Sequence, residues 1–193
     1  MYSSISTRLK ILMAALTISC FFVYGCENDI RELQERTAKK IGVEEAKNVE
    51  GYMSRGSKMT GKMTAPLMYR YQDTVPRFEF PNTIHVDFFD DSLRVESTLD
   101  AHFAKYLEGQ SKVYLRDSII AINKVNQDTL RCRELWWDQN LQKFYTEKAV
   151  RIYKKDGTIL FGDGMESTQD FTNIKILHPN NSIFKVPANQ FPQ

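Results

Sequence analysis

The feature that most constrains the fold is an alternation of apolar and polar residues that recurs over most of the chain. Ile84, Val86 and Phe88, for example, alternate with His85 and Asp87. This period of two is typical of antiparallel strands with one buried and one solvated face. Short segments rich in Asp, Asn and Gly recur about every ten residues, which is the turn spacing of a sandwich or barrel. The sequence therefore predicts an all-β fold.

An internal repeat divides the alternation into units of strand, turn and returning strand. Two stretches 31 residues apart share the spacing i, i+2, i+5 and i+7: Leu99, Ala101, Ala104 and Tyr106, and Leu130, Cys132, Leu135 and Trp137. A third, looser copy begins at Ile159 with an offset of 29. The spacing breaks strict alternation once in each unit, so we expect a bulge or corner there that keeps both parts facing inward. Stacked units would then bury one continuous apolar face.

The first 25 residues have a different character. Arg8 and Lys10 precede a short apolar run, and the segment contains no Asp or Glu. The run is shorter than the ~20 apolar residues that cross a bilayer, so it fits a signal peptide better than a permanent span. A small residue followed by Cys26 is typical of a bacterial lipoprotein signal. We expect residues 1–25 to be a lipoprotein signal peptide and acylated Cys26 to be the lipid anchor; a plain signal peptide or an uncleaved anchor is the alternative.

The residues after the leader fall into three segments of different composition. Residues 26–47 are rich in charge and carry only a thin apolar stripe, so we expect a partly helical, solvated stem. Residues 48–187 carry the strand pattern, and residues 188–193 form a short tail. The predicted organisation is a signal peptide, a stem, one β domain and a tail.

Charge and cysteine usage exclude some functions. Without the leader the chain has 24 basic and 24 acidic residues, which argues against a nucleic-acid-binding stripe. If Cys20 leaves with the leader and Cys26 carries lipid, Cys132 has no disulfide partner. Because Cys132 alternates with Leu130, we expect a small buried side chain at this position and not a nucleophile.

No motif for catalysis or cofactor binding stands out. His85 and Asp87 share a strand face and are a candidate two-ligand surface site, but a solvated outer face is the simpler interpretation. Gly162-Asp163-Gly164 has no helix behind it and predicts a turn or bulge, not a phosphate-binding loop. There is no nucleophile elbow and no Cys–His pair. We expect no enzyme activity, no cofactor and no metal site.

Four segments in a fixed order carry a resemblance to a known family. They are VEGYMSRGSKMTGKMTAPLMYRY from residue 49, PNTIHVDFFDDSLRVESTLDAHFAKY from residue 81, DTLRCRELWWD from residue 128 and GTILFGDGMESTQDF from residue 157. Over about residues 49–178 the chain resembles the LptC family, the membrane-anchored periplasmic component of the lipopolysaccharide exporter, in the superfamily of LptA and OstA-like domains. The resemblance implies an open, twisted antiparallel β-jellyroll with a V-shaped apolar interior that holds the acyl chains of lipopolysaccharide.

The resemblance also implies partners and a location. Lipopolysaccharide would come from an inner-membrane LptBFG-type ABC transporter that meets the N-terminal edge of the jellyroll, and would pass to an LptA-like periplasmic bridge protein at the C-terminal edge. The candidate C-terminal edge is Asn173–Val186. Many family members keep an uncleaved transmembrane helix, whereas this chain has a lipoprotein-type leader. We expect a periplasmic protein held at the inner membrane by its lipid anchor, with no nucleic acid partner.

The alternating apolar residues would line the lipid path in such an interior. The candidate lipid-binding residues are Met63, Ala65, Leu67, Phe78, Phe80, Ile84, Val86, Phe88, Leu99, Ala101, Phe103, Val113, Leu115, Leu130, Phe144, Ile159 and Phe161. The alternative is a scaffold lipoprotein with a filled β core that acts only through its strand edges. An elongated apolar groove would favour lipid transfer, and a core packed at ordinary density would favour the scaffold.

Overall fold

The computed structural model of the protein describes residues 42–185. The strands are β1 (Val43–Arg55), β2 (Lys58–Tyr71), β3 (Arg77–Phe80), β4 (Ile84–Phe89), β5 (Val95–Ala101), β6 (Phe103–Leu107), β7 (Lys112–Asn123), β8 (Thr129–Asp138), β9 (Lys143–Tyr153), β10 (Ile159–Thr168) and β11 (Ile174–Ile183), with one 3₁₀ turn at Glu108–Gln110. The predicted signal peptide, Cys26, the predicted stem as far as residue 41 and the tail lie outside the described residues. Within residues 42–185, no helix has the length and hydropathy of a membrane span.

All strand pairs are antiparallel and belong to one sheet. The hydrogen-bonded order is β11-β10-β9-β8-β7-β5-β4-β2-β3-β6, with β1 beside β2 and β6 also beside β7. Strands β3 and β4 together cross the sheet once, and we call each such crossing a pass. They belong to one pass because both pair with β2. Strands β5 and β6 are likewise two parts of the next pass, since both pair with β7. The chain is therefore an antiparallel meander, which confirms the predicted all-β fold and gives it a jellyroll-like form.

Each long pass is bent near its middle, and we call the line of bends the crease. It runs through Pro66 in β2, residues 81–83 between β3 and β4, His102 between β5 and β6, residues 117–118 in β7, residues 133–135 in β8 and Gly164 in β10. The crease separates the sheet into a half that contains β3 and β6 and a half that contains β4 and β5. These are the β3–β6 half and the β4–β5 half.

The bends have a regular sequence signature. Passes in one direction share the spacing i, i+2, i+5 and i+7 for inward residues: Leu99, Ala101, Ala104 and Tyr106; Leu130, Cys132, Leu135 and Trp137; Leu160, Gly162, Met165 and Ser167. Returning passes share the spacing i, i+2, i+6 and i+8: Phe78, Phe80, Ile84 and Val86; Val113, Leu115, Ile119 and Ala121; Phe144, Thr146, Val150 and Ile152. The skipped residues re-aim the strand so that both parts face the core. The predicted corner in each unit is confirmed.

Backbone conformation at the crease agrees with this pattern. Asp117 and Ser118 have φ angles of 64° and 50°, and the pairing register shifts beside them. Gly164 has a φ of 77°, and the register of β10 shifts between Asp163 and Met165. Glycine is favoured at a bulge position with positive φ because it has no Cβ. The prediction that Gly162-Asp163-Gly164 forms a turn or bulge is therefore confirmed.

The start of the β domain differs from the prediction. Residues 43–47, which were expected in a partly helical stem, are the first part of β1 and pair with residues 67–71 of β2. The apolar alternation could not identify them because β1 lies at the sheet edge and most of its residues are partly or fully exposed. Backbone pairing with β2 fixes this segment as a strand. The boundary at residue 48 is corrected to residue 43.

Candidate functional site

A cleft of about 400 Å³ lies between the two halves of the bent sheet. The β4–β5 half contributes Met63, Ile84 and Val86 to its wall, and the β3–β6 half contributes Tyr106 and Val113. These five residues come from four passes, and the crease brings the two walls face to face. The wall is therefore made mainly of apolar side chains that the repeat spacing directs inward.

An aromatic cluster closes one side of the cleft. The ring of Phe144 stacks on that of Trp137 at 5.5 Å and on that of Phe171 at 4.6 Å. Phe88 meets Trp137 and Phe144 edge to face at 5.3 and 5.9 Å. Phe88, Trp137 and Phe144 line the cleft, whereas Phe171 does not. Offset and edge-to-face pairs stabilise packing beyond the burial of area alone, so the cluster forms a well-packed side of the cleft.

Polar residues surround part of the cleft. Gln139, Gln142 and Gln169 come from the turns after β8 and β10, and Arg55 comes from the end of β1. The Nη2 atom of Arg55 donates a hydrogen bond to the backbone carbonyl of Gln139 at 2.6 Å. This bond joins the β1–β2 hairpin to the β8–β9 turn. We call these four residues the polar mouth.

The sheet has a free edge strand at each end. Among the described strands, β1 pairs only with β2, and β11 pairs only with β10. The predicted C-terminal edge, Asn173–Val186, is thus confirmed as an edge strand over Ile174–Ile183. Gly162 permits the close approach of β11, because a Cβ there would clash with Ile176 and would lie 2.6 Å from the carbonyl oxygen of His178.

The family described as lipopolysaccharide-assembly, LptC-related, matches residues 11–179. The chain belongs to the LptC family. No curated protein matches the chain. The family match begins inside the predicted leader and so extends further than the resemblance over residues 49–178. Membership implies involvement in lipopolysaccharide transport, a periplasmic and membrane-associated location, and partners in the transport machinery.

Most of the candidate lipid-binding residues of this LptC-family chain point inward. Nine of them line the cleft: Met63, Phe80, Ile84, Val86, Phe88, Leu99, Val113, Leu115 and Phe144. Four others belong to the core or pack against it without lining the cleft: Ala65, Phe78, Ala101 and Leu130. Their contact with lipid stays a prediction.

Leu67 and Phe103 do not belong to the core, so the inward orientation expected for both is not found. Each continued strict alternation through the crease, whereas the skipped residue moves the inward position to Met68 and Ala104. Pro66 has no N–H for the ladder, which suits it to the bend in β2. Phe103 lies on the outer face, where its ring is covered by the Arg116 guanidinium at 4.6 Å.

Ile159 and Phe161 are also corrected. Leu160 packs against the core in their place, because it pairs with Ile152 across the ladder. The third repeat copy therefore has an offset of 30 from the second and not 29. A slip of one residue exchanges the two faces of a strand. Phe161 consequently lies on the outer face, with the Arg151 guanidinium 4.9 Å from its ring centroid.

Some residues of the cleft were missed. Tyr106 and Trp137 were present in the repeat as its i+7 positions, so the spacing would have identified them. Met53 of β1 packs against the core from the edge strand. The three glutamines of the polar mouth carry no signal in an apolar pattern, and only the fold brings their turns to the cleft.

The candidate surface pair of His85 and Asp87 has a third member. The His85 Nδ1 atom lies 2.7 Å from the Asp100 carboxylate, and Nε2 lies 3.2 Å from that of Asp87. Partial burial opposes protonation, but the hydrogen bond and charge of Asp100, with the charge of Asp87, outweigh it and raise the pKa of His85. Both ring nitrogens face carboxylates on the outer face. In the part of the chain that the structure describes, no group of three ligating side chains could hold a metal ion.

Cys132 is buried and free among the described cysteines. Burial raises the pKa of its thiol to about 12, with the charge of Glu134 acting in the same direction and a backbone hydrogen bond acting against it. A thiol with such a pKa is protonated at neutral pH and is a poor nucleophile. The prediction of a small buried side chain at this position is confirmed.

Proposed function

We propose that this LptC-family chain is a membrane-anchored periplasmic protein that takes lipopolysaccharide from an inner-membrane LptBFG-type ABC transporter and passes it along a β-jellyroll bridge to the outer membrane. The observation that carries the proposal is the apolar cleft with its polar mouth. An amphiphile with acyl chains and a sugar head group matches this division of surfaces.

The size of the cleft supports a lipid ligand. A volume of about 400 Å³ lies within the range of roughly 300–1,000 Å³ usual for small-molecule sites. Protein interiors otherwise pack at the density of organic crystals, so an apolar void loses dispersion contacts. An acyl chain would restore them and would add about 0.8 kcal/mol for each buried CH₂ group.

The scaffold alternative has its own supporting observation. The interior beyond Phe144 is filled by large side chains, among them Ile119, Leu130, Ile152 and Met165. A protein that acted only through its edges would need no more than such a core. Capture of lipid in the cleft decides between the two functions.

Photo-crosslinking from adjacent residues on opposite faces tests the lipid path. Phe88 and Phe144 are fully buried, so the partly buried Met63 and Tyr106 are better positions for a bulky photoreactive amino acid. The matched controls are their neighbours Lys62 and Lys105, which lie on the outer face. We expect capture of lipopolysaccharide in cells at Met63 and Tyr106 only. Equal capture at both members of each pair would contradict the lipid path.

The two edge strands are the proposed contacts with protein partners. Strand β1 would extend the periplasmic sheet of the transporter, and β11 would extend that of the LptA-like bridge protein, since edge strands offer unpaired N–H and C=O groups. Photo-crosslinkers at the exposed Glu45 and His178 test the assignment. We expect Glu45 to capture the transporter and His178 to capture the bridge protein. The reverse pattern would reject this orientation.

The lipid anchor is tested separately. If Cys26 is acylated, metabolic labelling with a fatty acid will mark the wild-type chain and not the Cys26→Ala variant. The Cys132→Ala variant is the matched control, because Cys132 is buried within the domain. Unchanged labelling and membrane fractionation of Cys26→Ala would show that the leader is not a lipoprotein signal.

A further inference from the structure

A second cleft, of about 660 Å³, lies on the outer face at the crease between β7 and β10. Its lining contains five cationic side chains: Arg116, Arg131, Arg133, Lys148 and Arg151. We call it the cationic groove. It is on the opposite face of the sheet from the apolar cleft, because its charged residues occupy the outward positions of the repeat.

The centre of the groove holds two arginines in an unfavourable arrangement. Arg131 of β8 and Arg151 of β9 are directly paired across the ladder, so both side chains leave the same face of the sheet. Like charges placed opposite each other on adjacent strands are destabilising. Among residues 42–185, neither arginine has an acidic partner within ion-pair distance. An anion between them would relieve the repulsion.

Aromatic side chains hold these arginines in place. The Arg151 guanidinium lies 4.9 Å from the ring centroid of Phe161, and its Nη1 atom donates a hydrogen bond to the Tyr153 hydroxyl at 3.1 Å. The Arg131 guanidinium lies 5.7 Å from the ring centroid of Tyr153. Stacking on a ring face leaves the in-plane N–H groups of a guanidinium free to donate.

The acidic residues around the groove do not pair with Arg131 or Arg151. Asp117 accepts a hydrogen bond from Arg116 at 3.0 Å, and Glu134 accepts one from the Tyr114 hydroxyl at 3.2 Å. Asp163, which is nearby on β10, accepts one from the Asn180 amide at 3.2 Å. The lining thus has more cations than anions, and its central arginines keep their charge available.

We propose that the cationic groove binds the phosphate groups of a lipopolysaccharide head group other than the one at the polar mouth, because the groove and the apolar cleft lie on opposite faces of the sheet. This rests on the proposed function, since that function supplies a phosphorylated cargo. Planar guanidinium groups match phosphate oxygens with two parallel hydrogen bonds. The five cations in the lining outnumber its two carboxylates, which fits a ligand with several phosphates. A cationic surface of this kind also raises the local concentration of an anionic ligand.

A lipid-free probe separates the groove from the apolar cleft. The probe is the phosphorylated core oligosaccharide obtained from lipopolysaccharide by complete deacylation, and its enzymatically dephosphorylated form is the ligand control. The full chain in nanodiscs of zwitterionic lipid is titrated with each. We expect the phosphorylated oligosaccharide to bind and the dephosphorylated form to bind at least about tenfold more weakly, as expected for lost charged hydrogen bonds.

Matched variants locate the binding. Arg131→Gln with Arg151→Gln should raise the Kd of the phosphorylated oligosaccharide about tenfold and flatten its salt dependence. Lys143→Gln with Lys175→Gln removes the same charge elsewhere and should leave the Kd unchanged. Arg131→Lys with Arg151→Lys keeps the charge without the planar fork and should bind with intermediate affinity. A cooperative thermal unfolding transition in all three variants shows that they fold, and the transition of the glutamine variant should lie at or above that of the wild type because the repulsion is removed.

Three results would overturn the proposal. The first is equal binding by the glutamine variant and the lysine control, and the second is equal binding of the two oligosaccharides. The third is binding of inorganic pyrophosphate as tight as that of the oligosaccharide, because it would identify a site for free phosphate. Capture of intact lipopolysaccharide at Met63 is measured in parallel. If that capture persists while oligosaccharide binding is absent, the groove proposal fails and the proposed function does not.

Discussion

The two ends of the interior are built from the same repeat spacing and yet differ in packing. Inward residues of β2, β4, β5, β6 and β7 line most of the cleft, whereas the inward residues beyond Phe144, among them Ile119, Leu130, Ile152 and Met165, are packed against one another. Alternation is equally regular at both ends, so it does not cause the difference. What differs is Phe171, which enters the packed end from the β10–β11 turn and is 1% exposed.

The turn that carries Phe171 is held by its own polar contacts. The Asn123 side chain, itself buried, donates a hydrogen bond to the backbone carbonyl of Asp170 at 2.9 Å. The Asp170 carboxylate accepts hydrogen bonds from the backbone N–H and hydroxyl of Thr172 at 3.0 and 2.6 Å. The comparison teaches that a single turn can close one end of a jellyroll and leave the other available for a ligand.

Removal of the Phe171 side chain should have the largest effect on stability. Phe171→Ala leaves a cavity in a filled region and should lower the free energy of unfolding by about 3–5 kcal/mol. Met63→Ala, at the wall of the open cleft, should cost about 1 kcal/mol or less because Met63 is only partly buried. Denaturant unfolding followed by tryptophan fluorescence measures both. Equal costs would show that the two ends are packed alike.

Replacing a valine by a larger residue should also destabilise the packed region more than the cleft. Val86 at the cleft and Val150 in the packed end are each 4% exposed. Val150→Phe should cost about 1–3 kcal/mol because it overpacks a filled region, whereas Val86→Phe should cost less than about 1 kcal/mol because the cleft offers space. Val86→Phe should also reduce lipopolysaccharide capture at Met63. A larger loss of stability for Val86→Phe would reject an accessible cleft.

Cysteine reactivity gives a smaller, kinetic contrast. Cys132 is buried in the packed end with a pKa of about 12, so iodoacetamide near pH 8 should alkylate it slowly until the chain unfolds. A Met63→Cys substitution should be alkylated at least about tenfold faster, since the cleft admits a small reagent. Peptide-resolved mass spectrometry separates these sites from Cys26. Comparable rates in the native protein would contradict the difference in packing.

The outer face of the sheet also differs between two regions, and the pH dependence expected from this difference is the smallest effect predicted. At β4 and β5 the carboxylates of Asp87 and Asp100 enclose His85 and raise its pKa. In the cationic groove, by contrast, Arg131 and Arg151 have no acidic partner among residues 42–185. The raised pKa means that protonated His85 stabilises the fold fully below its unfolded pKa of about 6.5. This contribution is lost as the pH rises through the native pKa.

Asp100→Asn should therefore lower the native pKa of His85, as measured by NMR titration of the ring protons. The stability of the wild type relative to this variant should be greatest below the unfolded pKa of about 6.5 and should fall as the pH rises through the native pKa of His85. Asp91→Asn, which alters an exposed carboxylate paired with Lys58 at 2.8 Å, is the control. An unchanged His85 titration in Asp100→Asn would show that Asp100 does not set the pKa.

Several elements could be predicted from the sequence because their signal is local. The spacing of Leu130, Cys132, Leu135 and Trp137 predicts both the inward face and the corner, and the structure has both. The errors occurred where local alternation was extended across the crease, as at Leu67 and Phe103. Pairing with the neighbouring strand, which is non-local, decided those positions.

The sequence by itself determined the all-β fold, the repeating bent passes and most of the inward residues. Period-two alternation reports which face of a strand is buried, and that property belongs to each strand. Only the tertiary structure decided that one end of the interior is open, that Phe171 fills the other, and that Arg55 and three glutamines form the polar mouth. The reason is that the volume of a void depends on side chains from distant passes and turns, whose separation is fixed only when the sheet folds on itself.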